Sequence, residues 1–236
     1  MSRRGLVVAL IFATVFGLVF GFFPWLDVEI ARLFYDPVAK NFPLRSNSAL
    51  GHVRDAASWI LVLLIAPSVI ALLIKLVVPR AKSWISARAA IFLIATLALA
   101  PGLLVNVLLK NHWDRPRPVA VVEFGGNERF VPWWDPRGQC VKNCSFVAGE
   151  ASSAFWTLAP AALAPAPWRF LTYASAIAFG VGMGAVRMAM GAHFFTDVVF
   201  AGLFTFIIIV LIHGLIFRAR ARDPESKTET PSRSAS

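Results

Sequence analysis

The sequence predicts an all-α fold, an integral membrane bundle of six transmembrane helices, and three observations support that prediction. The chain of 236 residues is 58% hydrophobic, more than a soluble domain of this length usually carries. Its apolar residues fall in long uncharged blocks, not in the short alternating or amphipathic patterns of soluble elements. Six such blocks, at 5–26, 56–74, 89–109, 151–168, 170–186 and 198–217, each approach the ~20 residues a helix needs to cross a hydrocarbon core about 30 Å thick.

The first block follows Met1, Ser2, Arg3 and Arg4 and runs into an aromatic stretch ending at Trp25. It is long for a secretion signal and lacks a small-x-small cleavage site, so it reads as a retained helix. Residues 27–36 (DVEIARLFYD) alternate apolar and polar side chains at helical spacing, as an amphipathic connector lying on the membrane does. The third and fourth blocks hold Pro101, Pro160, Pro165 and Pro167. Such prolines break helices in water but are tolerated in a membrane where neighbouring helices satisfy the freed backbone groups, so both blocks count as spans. From 223 to 236 (DPESKTETPSRSAS) the chain is polar, without aromatics or apolar period, which predicts disorder.

Six spans set Arg3, Arg4, Arg80, Lys82, Arg88, Arg169, Arg218, Arg220 and Arg222 on one side, making that side, and both termini, cytoplasmic. The net charge of +10 is then mostly an orientation device and an attraction to anionic headgroups, and nucleic-acid binding is not implied. Cys140 and Cys144 lie in an outer loop, where an oxidising compartment lets them pair; a disulfide and two separate thiols both remain open. Two cysteines alone cannot complete a tetrahedral zinc shell.

Nearly every group able to do chemistry falls in the outer segments 110–150 and 187–197. Lys110 ends a span and is followed by NHWDRPRP, which supplies Arg115 and Arg117 between Pro116 and Pro118. Arginine offers a planar fork of donors matched to phosphate oxygens and lysine a mobile point charge, so this segment suits an anion, although interfacial anchoring alone would also explain it. In VRMAMGAHFFTD, Arg187 precedes His193 by six residues and Asp197 follows it by four. A helix starting near His193 sets the carboxylate on the imidazole's face, the arrangement of a supported nucleophile or base. His213 lies deep in the last block and His52 in an outer loop with ordinary neighbours; neither is assigned chemistry.

These residues closely resemble the type 2 phosphatidic acid phosphatase family, whose active-site architecture is shared with vanadium haloperoxidases. Lys110 with Arg117-Pro118, and Arg187 with His193 and Asp197, match its first and third motifs at full spacing. The resemblance implies a core at about 56–217, preceded by a first helix and connector (1–55) and followed by a tail (218–236). It implies that His193 forms a phosphohistidine intermediate, that Asp197 orients it, and that Lys110, Arg117 and Arg187 bind phosphate with no metal or other cofactor. Arg115 is not a family position and is expected either to support the phosphate-binding residues from behind or to contact the substrate headgroup.

The second motif departs. VAGE at 147–150 stands where the family has Pro-Ser-Gly-His, so only Gly149 is retained, and Val186 replaces the serine before Arg187. Glu150 is read as general acid or positioning group, or as an acidic residue favoured by the dipole at a helix start. Ala148 lacks the hydroxyl that donates to bound phosphate, a loss of about 10²–10³ in rate, although backbone N–H groups at 148 or 149 remain for phosphate.

The expected function is an integral-membrane lipid phosphate phosphatase at the periplasmic face of a bacterial inner membrane, weakened by Ala148. The expected substrate is a lipid phosphate; no obligate protein partner is evident. Trp113, Phe130, Trp133 and Trp134 beside Arg129 and Arg137 suit a large anionic amphiphile, and the glutamate-bearing second motif is similar to that of bacterial lipid A phosphatases, so lipid A phosphate is favoured over undecaprenyl pyrophosphate, phosphatidylglycerol phosphate or phosphatidate. On this reading 27–36 could also guide lipid to the site. The alternative is a catalytically silent phospholipid binder. A haloperoxidase is disfavoured because those enzymes are soluble, and a transporter because no charged residue sits centrally in a span.

Overall fold

The computed structural model describes residues 3–218, so the tail predicted at 223–236 lies outside the described residues. The described chain is all helix, turn and loop, with only isolated bridges at Asp36–Asn41 and Val121–Glu128. Five helices are long and apolar enough to cross a membrane: α1 (Arg3–Phe22), α3 (Ser48–Val77), the continuous rod Ala87–His112, α8 (Arg169–Ala189) and α9 (Phe195–Arg218). The rod starts as α4 (Ala87–Leu97), widens into a π-helical stretch (Ala98–Leu109) and closes in α5 (Lys110–His112). Pro101 cannot donate to the preceding turn, and the Asn106 side chain reaches back to its carbonyl at 2.7 Å, the kind of insertion that distorts a helical ladder.

The predicted fourth span is not one of the five. It is divided into α6 (Gly149–Phe155), α7 (Leu158–Ala162) and a 3-10 turn at Ala166–Trp168. Pro160 has no N–H for the Trp156 carbonyl, which instead accepts from Ala159 at 2.8 Å, so one tight turn separates the two short helices. The segment still runs from the end of the bundle where the rod stops to the end where α8 starts. It does so inside the protein: Ala151, Ser152, Ala154, Trp156, Leu158 and Ala159 are buried. Side-chain bonds tie it to its neighbours, Ser152 Oγ to Thr205 Oγ1 at 2.7 Å and Trp156 Nε1 to Thr96 Oγ1 at 3.0 Å.

Many of the exposed residues are large and apolar. Val8, Ile11, Leu63, Leu73, Leu76, Phe170 and Leu215 are all at least half exposed, the inverse of a soluble surface and what lipid-facing helices require. α9 is central, packing against α1, α4, α6 and α8.

The amphipathic segment forms α2 (Trp25–Arg32), but it is no simple surface connector. Asp27, Val28 and Ala31 are buried, and Asp27 reaches the start of α9. Its Oδ1 accepts from Thr196 N–H at 3.0 Å, and its Oδ2 from the Thr196 hydroxyl. An acid from α2 thus satisfies one of the donors that the first turn of α9 leaves open.

Candidate active site

Four chain segments meet at one end of the bundle: the close of the rod at Lys110 with the loop to Pro118, the disulfide-bearing loop into α6, the end of α8, and the turn into α9. Local sequence explains each junction. α8 ends with Gly191 at φ +64, Gly191 N–H on Met188 O at 2.9 Å and Ala192 N–H on Arg187 O at 3.0 Å, the paired bonds of a Schellman cap. That turn sends the chain back so that His193 points into the bundle. α9 opens with Asp197 at its third position, and Asp197 Oδ2 accepts from Phe194 N–H at 2.8 Å, the reciprocal half of a capping box.

His193 is 2% exposed. Its Nδ1 is 2.8 Å from the Ser145 carbonyl oxygen and 3.7 Å from Asp197 Oδ2. The carbonyl accepts only from a protonated Nδ1, which leaves Nε2 with its lone pair. Asp197 was expected to orient the ring directly, but the carbonyl is the nearer partner. Asp197 in turn holds the serine, accepting from Ser145 Oγ at 2.5 Å. Burial drives the imidazole down to about 4, against Asp197, which pulls it upward. The ring is neutral across the physiological range.

Arg115 is fully buried. Its Nη1 donates to Asp197 Oδ1 at 2.6 Å and its Nη2 to Asp27 Oδ2 at 2.7 Å, while its guanidinium carbon lies 4.6 Å from the ring centre of Phe194. Of the two roles expected for it, contact with a headgroup is excluded by this burial. Arg117, two residues on, is half-buried and lines a cavity of about 220 Å³ with Arg45, Val119, Arg187, Met190 and Ala192. Arg117 donates to the Asn143 carbonyl at 2.9 Å, and Lys110 Nζ to Asn143 Oδ1 at 3.3 Å, so one asparagine orients two cations. Asn143 sits at φ +54, a conformation asparagine tolerates, inside the four-residue step closed by a Cys140–Cys144 disulfide. The alternative left open for the cysteines therefore resolves to a pair.

Gly149 lies hard against Lys110: a Cβ there would come within 2.8 Å of Asn106 Oδ1 and 3.0 Å of Lys110 Nζ. Ala148 is buried, and its N–H donates to the Asp197 carbonyl at 3.1 Å. That N–H, expected to remain for phosphate, is already committed. Glu150 receives a forked bond from Arg54, Nη2 at 2.6 Å and Nε at 3.0 Å, and lies 3.2 Å from Arg187 Nε. Burial opposes its ionisation, but Arg54 and Arg187 outweigh it and hold the carboxyl below its ordinary range.

The fold thus brings Lys110, Arg117, Ala148, Gly149, Glu150, Arg187, His193 and Asp197 to one end of the bundle. It adds Asp27, Arg45, Arg54, Asn143, Ser145 and Thr196, none of which sequence reasoning selected. Most of the aromatics expected at the interface pack inward: Trp113 Nε1 donates to Trp133 O at 2.9 Å, Trp133 Nε1 to Gly17 O at 3.3 Å, and Phe130 faces Phe194. Trp134 is 48% exposed. His213 packs among Phe92 and Phe217 and His52 is exposed.

Residues 89–221 match the family model for the PAP2 superfamily. The chain is 37% identical to a Francisella tularensis subsp. novicida protein named lipid A 4'-phosphatase, over 93% of this chain and 99% of that one. The chain belongs to the PAP2 superfamily. A second relative with the same name, from Rhizobium leguminosarum, is 31% identical over 84% of this chain and 90% of its own length. No solved structure matches the chain. The superfamily match begins at residue 89, so Asp27, Arg45 and Arg54 all reach this PAP2 site from the segment before it.

Proposed function

We propose that this PAP2 protein hydrolyses a phosphate ester of lipid A, the 4'-phosphate, at the periplasmic surface of a bacterial inner membrane. The observation that carries the chemistry is a buried His193, with Nδ1 turned to the Ser145 carbonyl, adjoining Ala192 on the wall of a cavity lined by Arg117 and Arg187. The substrate assignment rests on relatives bearing that name over most of their length. The orientation is supported by Arg80, Lys82, Arg88 and Arg169 in the short loops at the opposite end of the bundle.

In this mechanism Lys110, Arg117 and Arg187 take the phosphoryl oxygens and neutralise charge as it develops. His193 Nε2 attacks phosphorus in line; the P–N bond forms as the bond to the sugar oxygen breaks, and that oxygen takes a proton from solvent water. Water then attacks the phosphohistidine and releases inorganic phosphate. Asp197 acts through Ser145 and stabilises the imidazolium character that develops. Held ionised between two guanidiniums, Glu150 serves the free protein by fixing Arg187, not by donating a proton.

That role has a measurable consequence. Glu150→Gln keeps the shape of the contact and is expected to lower kcat/KM by no more than about tenfold, whereas loss of a general acid costs about 10²–10⁴. The pH profile supplies another. The acid limb of kcat/KM reports the free enzyme and is expected near pH 4, where His193 protonates, once the second ionisation of the substrate phosphate near pH 6 has been accounted for. A limb set by His193 near 6.5, its ordinary value, contradicts the desolvated ring.

The silent-binder reading draws on Ala148, whose position offers no hydroxyl and no unused N–H. Phosphate release from lipid A, phosphatidylglycerol phosphate, phosphatidate and undecaprenyl pyrophosphate by the unaltered chain, Ala148→Ser and His193→Ala decides between them. The phosphatase reading expects lipid A to be hydrolysed, faster with serine and not at all without His193. Silence from the unaltered and serine forms, with lipid still bound, supports the binder.

A further inference from the structure

Arg45 is a charged residue on the site's own cavity that neither the family motifs nor the mechanism above employs. It lies in the short 3-10 turn Pro43–Ser46, and that turn is fixed to the nucleophile's loop. Phe42, 2% exposed, packs against Tyr35 and Phe124 and directly on Gly191, where a Cβ would lie 2.5 Å from its ring. Arg45 N–H then donates to Phe42 O at 2.9 Å. Arg45 is exposed and lines the cavity together with Arg117 and Arg187, and among the described residues no carboxylate pairs with it.

Charge balance gives this position a meaning. Arg45, Arg54, Lys110, Arg117 and Arg187 gather there, while Glu150 is the one carboxylate they pair with among the described residues. Asp197 is taken up by the buried Arg115. A phosphate monoester brings about 1.5–2 negative charges, less than this cradle calls for. A cleft lined by charges of one sign concentrates anions of the opposite sign.

We propose that Arg45 is a specificity-determining residue that binds a second anionic group, a carboxylate or another phosphate, carried by the substrate headgroup beside the phosphate that is transferred. The inference rests on the phosphatase reading for its substrate class, but binding tests it without turnover.

The test uses full-length protein in nonionic detergent, where the lipid ligand is the only added anion. Dissociation constants are measured for His193→Ala, alone and combined with Arg45→Gln or Arg45→Lys. The probes are two short-chain glucosamine lipids: one with a single phosphate, and one with the same phosphate plus a carboxylate on the adjoining sugar carbon. Arg45→Gln is expected to weaken the two-anion lipid about tenfold, the scale of one charge-assisted hydrogen bond, and to leave the single-phosphate lipid within about twofold; Arg45→Lys is expected to recover part of the loss, since the charge remains without the fork. Equal weakening of both lipids overturns the proposal in favour of a general role, and no change in either overturns it outright. Absence of phosphate release from the parent chain with His193 intact would count against the phosphatase reading alone, because the binding comparison does not depend on it.

Discussion

Arg115→Ala is expected to destabilise the protein by about 3–5 kcal/mol, because it strands two buried carboxylates. Asp27 and Asp197, 1% and 0% exposed, share this guanidinium at 2.7 and 2.6 Å. The network also joins α2 to the first turn of α9 through Thr196, so the entry of α9, which carries Asp197 and adjoins His193, should loosen with it. In detergent the melting temperature is expected to fall by roughly 10 °C, with activity lost in parallel. Arg117→Ala is the control. That side chain is half-buried and bonded to a backbone carbonyl, so the fold should melt almost unchanged while substrate binding weakens. Equal melting of the two variants would contradict the division of labour between arginines only two residues apart.

His193→Ala is expected to leave the fold intact and to reduce phosphate release by at least about 10⁴-fold, the scale on which removal of a nucleophile acts. The ring is buried, yet among the described residues its one hydrogen bond is to the Ser145 carbonyl. Asp197 keeps Arg115, Ser145 and Phe194 N–H without it. The melting temperature should therefore shift far less than for Arg115→Ala. Substantial turnover by this variant would remove the covalent mechanism.

The parts of this site that the sequence makes legible are those whose spacing is local. Arg187, His193 and Asp197 lie within one helix end, one cap and one helix start, and Lys110 with Arg117 within one loop. Long apolar blocks likewise identify five crossing helices. What was not legible depends on contacts distant in sequence. Nothing near Arg54 says that it will meet Glu150, 96 residues away, and Asp27 reads as the polar face of a surface helix until α9 is seen to need its oxygens. An acid directly after a span, in a segment otherwise apolar on that face, was the one signal available for it. The fourth block was legible only in part: its composition suits a crossing segment, but Pro160 and its burial among other helices divide it into short helices inside the bundle.

The stereochemical course at phosphorus tests the covalent role of His193 most directly, since it does not require an intermediate to accumulate. A lipid A phosphate made chiral with sulfur and oxygen isotopes is hydrolysed, and the configuration of the released thiophosphate is read. Two successive in-line displacements, first by His193 and then by water, predict retention. Inversion would mean that water attacks the lipid phosphate directly, and His193 would then be a base and not the nucleophile.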